Sequence, residues 1–224
     1  GDVLTFLEII ESLGVDVRFE DSTLKMNTEN MSLANLNRAL IKKIRVGIFL
    51  FPALLKRFGE LEIPYPGGCN IGKRPITEHL RAFKIFGYNG ENSDENIHFS
   101  GKEGTNDVTL SAGFAVTATE NAIMMAAFQP RKTTIHLAAI EPHVMNLIDV
   151  LKNIGVKIAV SYDHTIIIEG ISEIPENTEA TVISDYIESG TFVILGALSG
   201  NPSITVRNAR IQDLTLFLEK CQEA

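Results

Sequence analysis

Residues 142–168 read PHVMNLIDVLKNIGVKIAVSYDHTIII, a helix, a stop and two strands in succession. Val144, Leu147, Ile148, Leu151 and Ile154 recur at the spacing that lines one face of an α-helix. Pro142 suits its first turn, where a missing amide N–H costs nothing, and Gly155 suits the left-handed position just past its end. Val156–Val160 and Thr165–Ile168 are then expected to pair as strands across a polar turn.

The same order recurs upstream. Val3, Phe6, Leu7, Ile10 and Leu13 mark a helical face ending at Gly14, followed by a hairpin of Val15–Phe19 with Leu24–Met26. A looser copy has Ile76, Leu80 and Phe83 on the helix, Gly87 as its stop, a polar turn from Asn89 to Asn96 and a returning strand at Ile97–Phe99. Between copies a second, more apolar helix is expected at Leu36–Phe58, Thr117–Phe128 and Tyr186–Leu198. Each leads into a strand: Leu61–Ile63, Thr133–Leu137 and Ile204–Val206. The stop glycines lie 73 and then 68 residues apart, which places a fourth near position 225, just past a stripe of Leu214, Phe217, Leu218 and Cys221. The repeat is therefore expected to continue beyond Ala224, the alternative being that the last helix is a cap. The first residue is Gly, which fits either a fragment or an added residue. Units of two helices and several strands cannot bury their apolar faces singly, so an α/β or α+β lobe of stacked units is expected.

Composition narrows the function classes. A 224-residue chain that is 45% apolar has material for a substantial core, and a net charge of −8 argues against bulk binding to nucleic acid or to an acidic membrane surface. The longest apolar run, Val46–Leu55, is too short to span a bilayer and contains Pro52. Two distant cysteines, Cys69 and Cys221, without a signal-peptide pattern, fit a reducing, cytoplasmic setting with small-molecule partners.

One stretch carries the chemistry: Pro64–His79, PYPGGCNIGKRPITEH. Gly67 and Gly68 give the loop conformational freedom or let it approach a ligand closely. Lys73, Arg74 and the start of a helix near Ile76 favour both a Cys69 thiolate and a bound anion. A phosphate-binding P-loop is excluded, because Arg74 stands where Ser or Thr would hold magnesium. A cysteine protease needs a histidine partner, and His79, His98, His136, His143 and His164 show no local signature that selects one. H-E-x-x-H, paired C-x-x-C and G-x-S-x-G motifs are absent from the sequence.

The loop PGGCNIGKRP closely resembles the loop of the UDP-N-acetylglucosamine 1-carboxyvinyltransferase family. Further matches run in order along nearly the whole chain: IRVGIFLFPALLKRFG, AVTATENAIMMAA, TTIHLAAIEPHV and SDYIESGTF. The resemblance implies an enolpyruvyl transferase-like fold of two lobes, each an inside-out α/β barrel of three units. Residues 1–182 would form the loop-cysteine lobe, lacking its start, and 183–224 the beginning of a second, with the remainder of that lobe missing. It implies transfer of enolpyruvyl from phosphoenolpyruvate to the 3-hydroxyl of UDP-N-acetylglucosamine, with release of phosphate, in peptidoglycan synthesis. No metal or organic cofactor is implied. Carried over, Cys69 would act as an acid towards phosphoenolpyruvate and be alkylated by fosfomycin, and Arg74 would contact phosphoenolpyruvate and the nucleotide. Pro75, Ile76, Thr77 and Glu78 would hold uracil, Arg45 would lie near the anionic substrates, and Ala115, Val116 and Thr117 would contact the diphosphate. Four positions depart from the family pattern: Thr77 for Asp, Ala115 for Ser, Ile140 for Arg and Tyr186 for Arg. A chain that lacks the second-lobe groups is expected to be inactive alone. The alternative is a diverged, non-catalytic nucleotide-sugar-binding module of the same fold.

Overall fold

In the computed structural model, which describes every residue except 22, 68–74, 93–94, 174, 176–178, 200–203 and 224, helices fill the centre and small sheets lie outside them. The elements are α1 (Asp2–Ser12), β1 (Asp16–Glu20), β2 (Thr23–Asn27), α2 (Arg38–Ile41), α3 (Leu50–Phe58), β3 (Leu61–Pro64), α4 (Thr77–Phe86), β4 (Tyr88–Asn92), β5 (Asn96–Gly101), β6 (Val108–Ser111), α5 (Val116–Ala127), β7 (Lys132–His136), α6 (Pro142–Asn153), β8 (Lys157–Val160), β9 (Ile166–Glu169), α7 (Tyr186–Leu198) and α8 (Thr215–Glu223). Short 3-10 turns add Arg45–Phe49 and Ile211–Asp213.

The repeat is visible in the pairing. The sheet order β3-β5-β4 is antiparallel throughout, with Leu61 opposite Phe99 and Ile63 opposite Ile97. β7-β9-β8 repeats that order and sense, with Thr133 opposite Ile168 and Ile135 opposite Ile166. β6 adds to the second of these sheets as a parallel neighbour of β7, connected through α5, because a parallel pair needs a crossover longer than a hairpin. The first copy has only the antiparallel hairpin β1–β2. The stop glycines do what their spacing predicted: Gly14, Gly87 and Gly155 all have positive φ at helix ends.

α5 is the hub. Ala118, Ala122, Ile123, Met125, Ala126 and Ala127 are buried, and their small side chains let α3, α4 and α6 pack closely around it. Against it sits an aromatic cluster of Phe51, Phe83 and Phe99, all fully buried, with ring centroids 5.5 to 6.2 Å apart and the two contacts to Phe99 edge-on.

Four expectations are corrected. The expected helix Leu36–Phe58 is broken into α2, a 3-10 turn and α3. Pro52 has no N–H to direct at the Ile48 carbonyl and its ring would crowd that oxygen, so α-helix restarts at Leu50 with Pro52 in its first turn. The Ile48 carbonyl instead accepts the Asn121 side-chain amide from α5, at 3.2 Å. On α1 the buried face is Ile9 and Leu13, flanked by Phe6 and Ile10, while Val3 is 72% exposed, because the helix begins beyond the edge of what it packs on. The expected turn Asn89–Asn96 is shorter, since Tyr88–Asn92 pairs with β5 as β4. Ile204–Val206 forms no strand, having no neighbouring ladder to join.

α7 matches its expected bounds, and Asp185 caps it by accepting the Ile187 and Glu188 amides. It is apolar on most sides yet leaves Ile187, Phe192, Ile194, Leu195 and Leu198 exposed. Residue 183 is tied to α6 through Asn146, whose side chain donates to Thr181 O and accepts from Ile183 N. Among the described residues no helix is long and apolar enough to cross a membrane.

Candidate active site

The chain leaves β3 at Pro64 and passes Pro66 and Gly67 before the loop. Gly67 donates its N–H to Ile41 O at 3.2 Å, and a Cβ built on it would lie 1.5 Å from the Lys42 carbonyl oxygen. Close backbone approach, rather than an unusual φ, is what demands glycine here. Cys69 and Arg74, the expected catalytic pair, lie outside the described residues, as do Gly68 and Lys73.

Every other expected site residue meets at one corner. Arg45, opening a 3-10 turn, reaches Pro75 O with Nη2 at 3.4 Å. Ile76 precedes α4 and turns its side chain into the core, so it offers the site its backbone alone. Thr77 is exposed; Glu78 is held by Arg81 at 3.1 Å and faces Gly113, where a Cβ would lie 3.8 Å from Glu78 Oε2. Ala115 precedes α5, and Val116 and Thr117 form its first turn.

Neither Ile76 nor Ala115 caps its helix with a side chain, so among the described residues both α4 and α5 begin with backbone N–H groups that lack a side-chain cap. Two such helix starts with a guanidinium close by favour an anion. The α5 start is also rigid. The Thr119 hydroxyl donates to Ala115 O at 2.9 Å and accepts Ala139 N at 3.0 Å, tying the turn to the segment after β7. Just before it, Phe114 takes φ +58°, and so do Leu137 (+49°) and His164 (+60°) nearby. They are fastened together by Phe114 N to Leu137 O at 2.6 Å, Ala138 N to His164 O at 2.9 Å, and an edge-on contact of the Phe114 and His164 rings. Left-handed non-glycine residues persist only where their surroundings hold them, and here they gather beside the two helix starts.

Four titratable groups were not singled out from sequence. His79, one turn into α4, is 3% exposed and lies with Nε2 2.9 Å from Thr117 Oγ1. Burial, then the Arg45 charge, lower its pKa to about 4, against a weaker opposing effect of the Ile76 carbonyl. Its spacing with Ala82, Phe83 and Phe86 was the available signal that it lies on the core face of the helix. Glu120 of α5 is 9% exposed, and burial followed by the nearby Glu141 charge push it up to about 7. Glu141 itself has a buried Oε2 with no hydrogen-bond partner, and His143 Nε2 stands 4.0 Å from Glu120 Oε1, stacked in turn on Tyr186 at the start of α7.

A lobe of this α/β fold is found in enolpyruvyl transferases. The fold matches that of the enolpyruvyl transferase NikO from Streptomyces tendae, with a TM-score of 0.70 and 21% identity over 87% of this chain and 47% of that one. It also matches EPSP synthase from Acinetobacter baumannii, with a TM-score of 0.59 and 16% identity over 88% of this chain and 45% of that one. Residues 1–224 match the EPSP synthase (3-phosphoshikimate 1-carboxyvinyltransferase) family, and the chain belongs to it. Its curated relatives include UDP-N-acetylglucosamine 1-carboxyvinyltransferases from Lactobacillus johnsonii and Campylobacter jejuni, each 34% identical over all of this chain and 53% of the relative. The chain thus spans about half the length of the curated relatives it matches.

Proposed function

We propose that this chain supplies the loop-cysteine lobe, and the beginning of a second lobe, of an enzyme that transfers enolpyruvyl from phosphoenolpyruvate to the 3-hydroxyl of UDP-N-acetylglucosamine and releases phosphate, in the cytoplasm. The observation that carries this reading is the meeting of Arg45, Pro75–Glu78 and Ala115–Thr117 at two uncapped helix starts, although these segments lie far apart in sequence. The relatives' names supply the substrate. In this reading Pro75–Glu78 hold uracil, and the amides of Val116 and Thr117 with Arg45 and Arg74 neutralise the diphosphate and phosphoenolpyruvate. Cys69 acts as the acid towards phosphoenolpyruvate. The lobe boundary falls near Ile183, and the exposed apolar face of α7 supports a larger second lobe that covers it.

Catalysis in such a cleft depends on groups of both lobes converging on the substrates. This chain alone is expected to bind UDP-N-acetylglucosamine without turning it over. Calorimetric titration and a phosphate-release assay check both halves of that statement. Phosphate release that requires both substrates overturns the expected inactivity. In a two-lobed form, fosfomycin-sensitive release that is abolished by Cys69→Ala is the expected result, whereas nucleotide-sugar binding without release overturns the transferase reading.

A further inference from the structure

We propose that Glu120, Glu141 and His143 work as a proton-operated clasp on Tyr186, which holds the start of α7 against α6 while Glu120 carries its proton and loosens it when that proton is lost. The clasp is independent of the reaction proposed above.

The cluster stands where α5, α6 and α7 meet. Glu120, in the second turn of α5, is nine-tenths buried. Glu141, at the entry to α6, keeps Oε2 buried without a hydrogen-bond partner. His143, in the first turn of α6, is half-exposed, and its Nε2 stands 4.0 Å from Glu120 Oε1, too far for a hydrogen bond. Its ring lies 10° from parallel to that of Tyr186, with the centroids 6.4 Å apart. The elements around α5 bring no compensating cation: among the described residues no Lys or Arg makes an ion pair with Glu120 or Glu141. From α4, Glu78 and Arg81 pair with each other, and His79 is neutral and held at Thr117, a turn before Glu120, with Arg45 beside it. The cations of α3, Lys56 and Arg57, lie in its last turn, where Lys56 reaches Phe128 O past the far end of α5. Lys132 and Glu169 lie opposite each other on β7 and β9 and are exposed, His136 of β7 has Nδ1 3.2 Å from Thr165 Oγ1, and Asp149 and Lys152, further along α6, are exposed.

Two carboxyl groups that are close together and shielded from water resist being ionised at once, so the pair titrates as a unit. The positive end of α6 favours Glu141 as the ionised member. Glu120 then keeps the proton, which burial and the Glu141 charge retain up to about pH 7. Loss of that proton turns Glu120 into a strong acceptor, and the His143 ring nitrogen is the donor that the structure sets beside it. Closing the 4.0 Å gap to hydrogen-bond distance turns the imidazole out of its parallel alignment with Tyr186. A second tie at the same joint does not titrate: Asn146, one turn further along α6, donates to Thr181 O at 3.0 Å and accepts Ile183 N at 3.3 Å. Proton loss therefore frees the start of α7 without releasing the segment that leads to it.

The test follows the Tyr186 ring protons by NMR from about pH 5.5 to about 8.5 in the parent chain and in Glu120→Gln, Glu141→Gln and His143→Phe. The parent is expected to lose the ring-current shift of the stack with a midpoint near 7. Glu120→Gln and His143→Phe are expected to keep the stack and lose that step, the first because its amide does not titrate, the second because a phenyl ring has no N–H to give. Glu141→Gln is expected to keep the step and move it to lower pH, since removing the neighbouring negative charge eases the ionisation of Glu120. The Asn146 side-chain amide signals are expected to stay fixed throughout. A step that persists in Glu120→Gln belongs to His143 alone and overturns the proposal, as does a flat response in the parent. A parallel shift of Asn146 means general loosening and overturns it too. Because His143 is half-exposed, its variant keeps the test decisive even where Glu120→Gln does not fold: a step that survives in folded His143→Phe overturns the clasp.

Discussion

At position 67 a single missing Cβ fixes where the loop can start, because the Lys42 carbonyl oxygen occupies the space a methyl group would take. Gly67→Ala must move the loop entry or the Lys42 backbone, and overpacking of this kind costs about 1–3 kcal/mol. Chemical denaturation is expected to show that loss, together with weaker nucleotide-sugar binding. Two buried groups set the pH response with opposite signs. The folded-state pKa of His79, about 4, lies below its ordinary 6.5, so the unfolded chain binds more protons between those values. The His79 contribution to stability is therefore lost as pH falls from 6.5 towards 4. The folded-state pKa of Glu120, about 7, lies above its ordinary 4.5, so the folded chain binds more protons, and that contribution is lost as pH rises from 4.5 to 7. In the overlap the two offset each other. Thermal melts are expected to reveal this: Glu120→Gln should retain stability better than the parent as pH rises through that window, and a parent-like profile would count against a buried, protonated Glu120. Neither group was legible from sequence, because its partner comes from another element: Arg45 and Thr117 for His79, Glu141 for Glu120.

Among the elements, α5 shows how one helix can hold others in place. Its Asn121 donates to the carbonyl at Ile48, where Pro52 withholds the helical N–H. Asn121→Leu keeps the size of the side chain and removes this hydrogen bond, while the Ile48 carbonyl keeps a backbone partner at the end of the 3-10 turn, so a loss of about 0.5–1.5 kcal/mol is expected. Pro52→Ala restores a backbone N–H near Ile48, so its effect is expected to be smaller in the Asn121→Leu background than in the parent, as a cycle of denaturation midpoints would measure. The bounds of α4, α5, α6 and α7 were readable to within a residue or two, since apolar spacing and the stop glycines at 87 and 155 are local signals. The break between residues 41 and 50 was not, although Pro52 was in view, because a proline's effect on a helix depends on what else can satisfy the freed carbonyl. β6 was missed for a similar reason: VTLS at 108–111 is too short to declare itself and becomes a strand by pairing with β7.

In the whole molecule the three units share one core, so damage at its centre is not confined to one copy of the repeat. Phe83 touches Phe51 of the first interval and Phe99 of β5, and lies fully buried. Phe83→Ala is expected to cost about 3–5 kcal/mol and to lower the melting of all units together. Separate transitions for the hairpin copies would show that the units fold independently. The sequence by itself determined the repeat, its stop glycines, the helical faces and the resemblance of the loop, because each depends on residues near one another in the chain. Only the tertiary structure decided that Arg45, Pro75–Glu78, His79 and Ala115–Thr117 share one corner, and that a buried histidine lies within hydrogen-bond reach of a particular hydroxyl. Contacts of that kind arise when helices from different units pack on α5, and no local pattern encodes the distance between them.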